Sequence, residues 1–354
     1  MPRKKSAEPR VLVFGDVNVD LIGLTAAWPH PGQECLTDHL ELHCGGVGAN
    51  CALALRQWRV ATSLIACVGH DPLGDTVLAR LASHGVNTRH IQRTRNALTG
   101  LLYINVTRDG QRTFFGSRGA NQLVRAHSSQ RALMRRAQAV SLMGYSFLDS
   151  SPTKAANQLL SAARSLGKWV ALDVGMEPSQ KIPKKILRVL RHVDLLFVSH
   201  EEAAALTGSR DPRKSFRILQ CAGAREVVMK LAKHGCLIAD RGELRNVPAF
   251  PVRSVDSTGA GDAFTAAFLQ ARLRGWPAPE SALLANAVGA VAAGVVGAGD
   301  AAPTAKQVAT LVRNSRLKRE WETMRLRVLR RLSSGAQHRS AQSFDERKMR
   351  QKIS

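Results

Sequence analysis

Short apolar runs that end in glycine or a polar residue recur along the chain. They occupy residues 11–15, 61–69, 139–145, 169–175, 194–199 and 226–232. Runs of this length and composition are typical of buried parallel strands. Stretches with helical periodicity lie between them, at 48–58, 74–84, 153–166, 201–207 and 212–222. This alternation predicts an α/β fold, with a doubly wound and mostly parallel sheet flanked by helices.

Three stretches break this rhythm and favour extended structure. Residues 98–107 and 112–117 are rich in β-branched and aromatic side chains, and the sequence RDGQ between them is a hairpin signal. Residues 33–43 also favour an extended over a helical conformation. These stretches predict either a small β lid over a site at the strand ends or an ordinary edge hairpin.

The last part of the chain combines helical periodicity with positive charge. A helix is predicted over 310–333, because one helical face collects the apolar residues Leu317, Trp321, Met324, Val328 and Leu332. Such a helix either packs against the rest of the protein or a second subunit, or lies on an anionic membrane or nucleic acid. Residues 334–354 lack periodic apolar content, which predicts disorder.

Composition excludes a disordered chain and raises a question about charge. Hydrophobic residues make up 44 % of the 354 residues, enough for a sizeable core. The 51 Lys and Arg against 27 Asp and Glu give a formal net charge of +24. Residues 311–354 hold 13 of the basic and 4 of the acidic residues. This charge is compatible with a nucleic acid, a membrane, a phosphorylated substrate or a merely basic background.

Cysteine spacing and hydropathy bear on the compartment. The six cysteines form no C-x-x-C pair and no zinc-binding spacing with histidine, as expected of reduced intracellular thiols. The basic start at 1–10 is followed by an apolar run that contains Asp16 and Asp20, which argues against a signal peptide. No run approaches the roughly 18 apolar residues of a spanning helix. A cytoplasmic protein is therefore predicted.

The segment DSTGAGDAF, residues 256–264, carries the clearest candidate chemistry. It follows a β-like stretch and opens a helix, so its Gly and Ala residues can present backbone N–H groups to a phosphate. Asp262 would lie in the first turn, where its carboxylate can accept a proton from an attacking hydroxyl. Taken alone, a string of this kind is more often a turn followed by an acidic helix start.

Two further segments suit the binding of hydroxyl groups. In CGGVGAN, residues 44–50, the glycines allow a ligand to approach the backbone and Asn50 offers a donor and an acceptor. In GDVNVD, residues 15–20, Asn18 and Asp20 lie at alternate positions. The structural alternatives are a strand–helix turn and an Asx-turn. A P-loop is excluded, because G-x-x-x-x-G-K-[ST] is missing from the sequence.

The order of these segments resembles the ribokinase-like, or PfkB, family of carbohydrate kinases. The sequences 67–74, 118–121 and 201–208 add further similarity. The resemblance extends over about 11–309, which defines one kinase domain with a lid at about 33–43 and 98–117. It leaves a basic N-terminal extension at 1–10 and a basic C-terminal extension at 310–354, helical to about 333.

The resemblance implies roles for individual residues. The catalytic base would be Asp262, with an anion hole of Gly259, Ala260 and Gly261. Substrate hydroxyls would be bound by Asn18, Asp20, Gly46 and Asn50. Contact of Arg118 with an anionic or polyhydroxy substrate is a separate hypothesis. The nucleotide would lie near Lys230, Ala232, Gly235, Asn286 and the 297–299 region. Glu202 would position Mg²⁺ indirectly, and a monovalent cation such as K⁺ would be held by Asp256 and Thr258.

Several positions depart from the family pattern. Ser199 stands where the N-x-x-E motif has Asn, which predicts weakened rather than lost handling of the metal. Ala232 stands where the family has Gly and would crowd the nucleotide if the backbone needs a positive φ. Val47 replaces a lysine common in ribokinases, and 173–178 lacks the D-x-N-x-R string of other relatives. Arg118 could also be a plain surface charge on the lid.

The predicted function is that of a kinase using ATP and Mg²⁺, with a requirement for K⁺ left open, that phosphorylates a hydroxyl of a small carbohydrate. The alternatives are a nucleoside kinase of the same family and a non-catalytic descendant that binds a sugar or polyanion. A homodimer through the lid is expected. Nucleic acid is not required, and contact of the basic tail with an anionic surface is left open.

Overall fold

A computed structural model describes most of the chain. The described residues are 10–30, 32–37, 40–107, 112–127, 129–255, 257–295 and 302–333. Four sequence-based predictions fall outside them, namely the 108–111 turn, Asp256, the 297–299 region and the disorder over 334–354. The basic start at 1–9 also lies outside the described residues.

A long, mostly parallel sheet forms the centre of the protein, as predicted. In the described residues its nine strands have the order β13-β12-β11-β10-β9-β8-β1-β4-β5. All neighbouring pairs are parallel except β11/β12 and β12/β13. The strands are β1 (Arg10–Phe14), β4 (Ala61–Gly69), β5 (Ile91–Thr94), β8 (Ala139–Met143), β9 (Trp169–Asp173), β10 (Leu195–Ser199), β11 (Glu226–Lys230), β12 (Cys236–Asp240) and β13 (Glu243–Val247).

Helices cover both faces of this sheet. They are α1 (Val47–Gln57), α2 (Pro72–Ser83), α3 (Ser129–Arg136), α4 (Ser150–Ser165), α5 (Met176–Lys181), α6 (Pro183–Val189), α7 (His200–Thr207), α8 (Pro212–Cys221), α9 (Ala260–Leu273), α10 (Ala278–Ala293), α11 (Ala305–Asn314) and α12 (319–333). Successive side chains of β1 enter opposite cores: Val11 and Val13 pack on one side, Leu12 and Phe14 on the other. This period of two explains why the buried strands read as continuous apolar runs.

A second sheet of four strands stands apart from the main one, in the order β3-β2-β6-β7. Its strands are β2 (Asn18–Thr25), β3 (Leu40–Gly45), β6 (Gly100–Thr107) and β7 (Arg112–Ser117). The predicted hairpin over 98–117 is therefore confirmed. The extended stretch predicted at 33–43 is wrong in its bounds, because residues 33–37 form no strand. The strand β2 was not predicted.

The helix predicted over 310–333 is wrong as a single helix. In the described residues α11 ends at Asn314, residues 315–318 are not helical, and α12 begins at 319. Trp321, Val328 and Leu332 of α12 are buried in the same core as α9 and α10. Of the alternatives, the structure therefore shows packing against the rest of the protein.

Two observations concern the compartment. Within the described residues, no helix is both long and apolar enough to cross a bilayer. All six cysteines have free thiols in the structure, and four of them are buried. The cytoplasmic location stays a prediction.

Candidate active site

The N-terminus of α9 lies at the carboxyl ends of the parallel strands, beside Asp173 of β9 and Lys230 of β11. Gly259 precedes the helix with a φ of +71°, in the left-handed region that favours glycine. Gly261 and Asp262 follow in the first turn and line a cavity of about 250 Å³ together with Gly259. The exposed amides of such a helix start attract anions. The predicted anion hole thus faces open space.

Asp262 is held by a residue from the other glycine-rich segment. The Nδ2 of Asn50, at the start of α1, donates a hydrogen bond of 3.0 Å to Asp262 Oδ2. Burial, with a smaller contribution from the charge of Asp173, raises the pKa of Asp262 to about 7, even though the Asn50 hydrogen bond and Lys230 act to lower this pKa. A carboxylate with a pKa near neutrality is suited to accept and release a proton.

A lysine and two further carboxylates border the same cavity. Lys230 ends β11 and its Nζ donates to both oxygens of Asp173 at the end of β9, at 3.0 and 3.1 Å. Asp173 Oδ2 also accepts a 2.5 Å hydrogen bond from Thr265 of α9. Glu202 of α7 lines the cavity as well. Lys230, Glu202 and Asp262, predicted separately, are therefore brought together by the strand order.

Ser199, the departure from N-x-x-E, has a structural use. Its hydroxyl accepts from the backbone N–H of Glu202, and Glu202 Oε2 accepts from the N–H of Ser199, which forms a capping box at the start of α7. Burial raises the pKa of Glu202, and Lys230 lowers it. The serine thereby fixes the glutamate that borders the cavity.

The residues present fit a magnesium ion that arrives with a nucleotide. Among the described residues, no group of three or more acidic, histidine or cysteine side chains could hold a metal by itself. Mg²⁺, however, usually keeps several waters and is bound through one or two carboxylates together with substrate phosphates. Glu202 at the cavity edge is a carboxylate suited to that use.

The candidate substrate residues lie on β2 and its neighbours. Asn18 Oδ1 accepts a 2.8 Å hydrogen bond from Asn121 Nδ2, and Asn121 Oδ1 accepts from the N–H of Val17. Burial raises the pKa of Asp20 to about 6, and His43 lowers it. Within the described part of the chain, Asp20 Oδ1 and Asn50 Oδ1 are buried without a hydrogen-bond partner. Each is an acceptor to which a hydroxyl group could donate a hydrogen bond.

Gly46 lies very close to the backbone of Asp16. Its φ is +89°, and an added Cβ would lie 2.5 Å from the carbonyl oxygen of Asp16. Only glycine allows the start of α1 to approach the GDVNVD segment this closely. Gly46 therefore brings together the two segments that were predicted to bind hydroxyl groups.

Arg118 is engaged by protein groups. Its guanidinium donates to both oxygens of Asp16 at 2.8 and 2.9 Å, to Asp149 and to the carbonyl oxygen of Tyr145. Its side chain is 17 % exposed, which excludes the alternative of a plain surface charge. Contact with substrate stays a prediction for this residue.

The nucleotide candidates divide into two groups. Ala232 has a φ of +49°. A positive φ at this position is the condition under which its methyl group was predicted to crowd a nucleotide. Gly235 directly precedes β12. Only glycine fits there, because an added Cβ would lie 2.0 Å from the carbonyl oxygen of Val247. The amide nitrogen of Asn286 donates to the carbonyl oxygens of Val247 and Pro248. Gly235 and Asn286 thus both contact the backbone at the end of β13.

The structure adds residues that sequence reasoning did not assign. Arg112 of β7 donates a 2.7 Å hydrogen bond to Thr258 Oγ1, so the lid reaches the segment before the anion hole. Asp173, Thr265 and Asn121 hold Lys230 and Asn18 as described above. Asp173 is a charged residue within the apolar run predicted as a strand at 169–175, which was an available signal. Arg112 offered no such signal, because its partner lies 146 residues away.

Comparison with known proteins gives a consistent result. A model of the family described as pfkB family carbohydrate kinase matches residues 8–305. The ribokinase of Haemophilus influenzae is 25 % identical over 300 residues, which cover 83 % of this chain and 95 % of that protein.

Solved structures share the fold. The ribokinase of Arabidopsis thaliana, solved with ribose and ATP, has a TM-score of 0.76 and 26 % identity, covering 87 % of this chain and all of that one. A ribokinase-II-type protein of Escherichia coli, solved with ATP and Mg²⁺, has a TM-score of 0.78 and 23 % identity, with coverage of 87 % and 100 %. The fold of this chain is therefore similar to the folds of these two proteins.

Proposed function

This chain belongs to the pfkB family of carbohydrate kinases, ATP-dependent phosphotransferases, and we propose that it phosphorylates a hydroxyl of a small sugar with Asp262 as the general base. The anion hole at the start of α9 would hold the transferring phosphoryl group. The sugar would lie between this helix and the lid, against Asn18, Asp20, Gly46 and Asn50.

In the proposed reaction, Asp262 accepts the proton of the attacking hydroxyl as its oxygen bonds to the γ-phosphorus of ATP. The bond from the γ-phosphorus to the bridging oxygen breaks, and ADP leaves with that electron pair. The N–H groups of Gly259, Ala260 and Gly261 stabilise the charge on the phosphoryl oxygens. Mg²⁺, when bound with the nucleotide, neutralises phosphate charge. Asn50 holds Asp262 in place through their hydrogen bond.

The observation that carries the sugar proposal is the pair of buried acceptors without partners. Leaving such an atom unpaired costs about 1–3 kcal/mol. A polyhydroxy substrate would donate hydrogen bonds to Asp20 Oδ1 and Asn50 Oδ1, whereas an apolar substrate would not. An identity near 25 % to a ribokinase leaves the particular sugar open.

A substrate screen tests the proposal directly. Purified protein with ATP and Mg²⁺ would be given pentoses, hexoses, keto-deoxy sugar acids and nucleosides, and the release of ADP would be followed. We expect turnover with one of the sugars or sugar acids. Turnover only with nucleosides would favour the nucleoside kinase, and nucleotide binding without any transfer would favour the non-catalytic descendant. Repeating the assay in K⁺ and in tetramethylammonium would test the predicted role of Thr258.

A variant tests the hydroxyl-binding part separately. Asp20→Ala should raise KM for the sugar by about 10- to 100-fold, since a hydrogen bond to a charged group contributes about 1.5–3 kcal/mol. Glu243→Ala removes an exposed carboxylate from an edge strand and serves as the control. An unchanged KM in Asp20→Ala would remove Asp20 from the proposed sugar site.

A further inference from the structure

The edge of the main sheet opposite the candidate active site is rich in basic side chains. The parallel strands begin at this edge, whereas the cavity that Asp262 lines lies where they end. We call this surface the basic edge and define it by the cations Arg10, Arg135, Arg164, Lys168, Arg191 and Arg225. The carboxyl ends of helices favour basic residues, which accounts for part of the pattern. Arg10, Lys168 and Arg225, however, lie outside the helices.

The strand order spreads these cations across the molecule. Arg10 begins β1, Lys168 directly precedes β9 and Arg225 directly precedes β11. The strands β11, β10, β9, β8 and β1 are neighbours in that order. Because neighbouring strands lie about 4.8 Å apart, the cations extend over roughly 19 Å. A nucleic-acid duplex carries one phosphate charge per about 1.7 Å of its axis, so a surface of this width fits a polymer better than a single nucleotide.

Carboxylates offset little of the charge of the basic edge. Asp194 pairs with Arg225 at 3.8 Å, and the side chain of this arginine is 82 % exposed. Arg164 and Arg191 each contact a ring nitrogen of His192, and within the described residues neither arginine has a carboxylate partner. Burial, followed by the charges of these two arginines, lowers the pKa of His192. An anion bound here would therefore reduce the repulsion among neighbouring basic groups.

The chemistry of this surface favours a nucleic-acid duplex over a membrane or a single strand. Arginine binds phosphate oxygens in pairs through its planar guanidinium group. The apolar face of α12, which a membrane would need, is buried in the core. Single strands stack their bases on aromatic rings. Near this edge, however, Arg272 lies over the ring of Trp169, 5.7 Å from its centroid.

We propose that the basic edge binds the phosphate backbone of a nucleic-acid duplex, without reading its base sequence. This binding is independent of phosphoryl transfer, because strands of five residues, about 16 Å long, separate the basic edge from the cavity. It gives a use to part of the net charge of +24 that packing of the chain does not consume.

Fluorescence anisotropy of the full chain with a labelled duplex of about 20 base pairs tests this binding. We expect a Kd in the micromolar range at about 50 mM salt that weakens steeply towards about 200 mM, because bound cations release counterions from the duplex. The triple variant Arg10→Gln, Arg164→Gln and Arg191→Gln should weaken binding at least about 10-fold at about 100 mM salt. It should also reduce the slope of log Kd against log salt by about 2–3.

A matched triple variant separates local contacts from net charge. Lys154→Gln, Lys184→Gln and Lys214→Gln remove three exposed lysines near the amino ends of α4, α6 and α8, at the opposite end of the molecule. The Kd should then change by less than about twofold, because charges separated by more than about 10 Å are largely screened at about 100 mM salt. Thermal melts of both triple variants confirm that they are folded.

Each outcome of these measurements decides for or against the duplex. No binding by the wild type at about 50 mM salt, or equal losses in the two triple variants, would overturn the proposal. Tighter binding of a single strand would contradict the duplex as partner. Binding to phosphatidylserine vesicles without binding to the duplex would replace the nucleic acid by a membrane surface. A salt-dependent loss confined to the arginine variant would support a duplex-binding edge, whatever the sugar screen shows.

Discussion

Among single residues, Asp262 combines the features expected of a general base. It lies in the first turn of α9, beside the amides of the predicted anion hole, and Asn50 donates a hydrogen bond to its carboxylate. General-base catalysis typically contributes about 10²- to 10⁴-fold. Asp262→Asn should therefore lower kcat by about that factor in a steady-state assay, with an unchanged far-UV spectrum. A variant with wild-type turnover would contradict the assignment.

The pH dependence of turnover follows from the same carboxyl group. Burial raises the pKa of Asp262 to about 7, and only the ionised form can accept the proton of the hydroxyl. The kcat should therefore fall as the pH decreases through about 7 and level off above it. Measurement from pH 5 to 9, with thermal melts to confirm folding at each pH, checks this. A flat profile down to pH 5 would exclude a base with a raised pKa.

The sequence predicted the residues of this site better than their connections. Asp262 and Asn50 could be found because each lies in a glycine-rich segment whose local pattern already suggests ligand binding. The pairing of Lys230 with Asp173 could not, because the two residues are 57 positions apart and meet only through the strand order β9-β10-β11. Local patterns identify functional groups, and tertiary topology decides which groups share a cavity.

Among the elements, β2 was missed for a physical reason. Asn18 and Asp20 lie in its first half, and Asn and Asp are depleted in strands, so this segment resembled a loop after β1. Their polar side chains instead meet Asn121 and the candidate sugar site. The lid could be predicted from β6 and β7, whose residues favour strands. Its strand β2 could not, because it contains the polar residues proposed to bind substrate.

Arg118 connects the end of β7 to the main body of the protein. Removing it would leave the carboxylate of Asp16, which is buried, without its bidentate partner. Breaking a buried ion pair in this way typically costs about 3–5 kcal/mol. Arg118→Met should lower the free energy of unfolding in urea by about this amount.

A second arginine provides the matched control for that prediction. Arg93 pairs with Asp75 at 2.7 Å, but this pair is exposed. Arg93→Met should therefore cost less than about 1 kcal/mol. Equal effects of the two substitutions would mean that the Arg118 network contributes no more than a surface ion pair.

The outer face of the lid suggests the predicted homodimer. The strand register puts Leu40, Leu42 and Phe115 on the face opposite Asp20, and all three are exposed. A second copy of the chain would remove these apolar side chains from water. Leu42→Asp should then convert a dimer to a monomer, as measured by light scattering at micromolar concentration.

Leu326 of α12 is a suitable control for the dimer test. It is 46 % exposed and lies outside the lid, so Leu326→Asp should leave the oligomeric state unchanged. A wild type that is monomeric throughout the concentration range would contradict assembly through the lid. A dimer that survives Leu42→Asp would place the interface elsewhere.

For the whole molecule, the positive charge of the C-terminal region has a structural component. Glu280 of α10 is buried, and it pairs with Arg331 at 2.9 Å and Arg327 at 3.6 Å. Arg331 also lies over the ring of Trp276, 4.8 Å from its centroid. The sequence alone allowed the basic residues of this region to bind a nucleic acid or a membrane. Arg327 and Arg331 instead attach α12 to the kinase body.

Two truncations measure how far α12 belongs to that body. Ending the chain after Asn314 removes the buried side chains Trp321, Val328 and Leu332, each worth about 1.5–3 kcal/mol of burial. The summed loss is comparable with the whole stability of a typical domain, about 5–15 kcal/mol. This variant should therefore be unfolded or insoluble, whereas a chain that ends after Ser333 should keep its melting temperature.

A point substitution makes the same prediction independent of truncation. Trp321→Ala in the full chain should lower the free energy of unfolding by about 3–5 kcal/mol, the usual cost of removing a large aromatic side chain from a core. Urea unfolding followed by circular dichroism measures this loss. Wild-type stability of both the Asn314 truncation and Trp321→Ala would contradict the packing. It would also favour the alternative that the basic helix lies on an anionic membrane or nucleic acid.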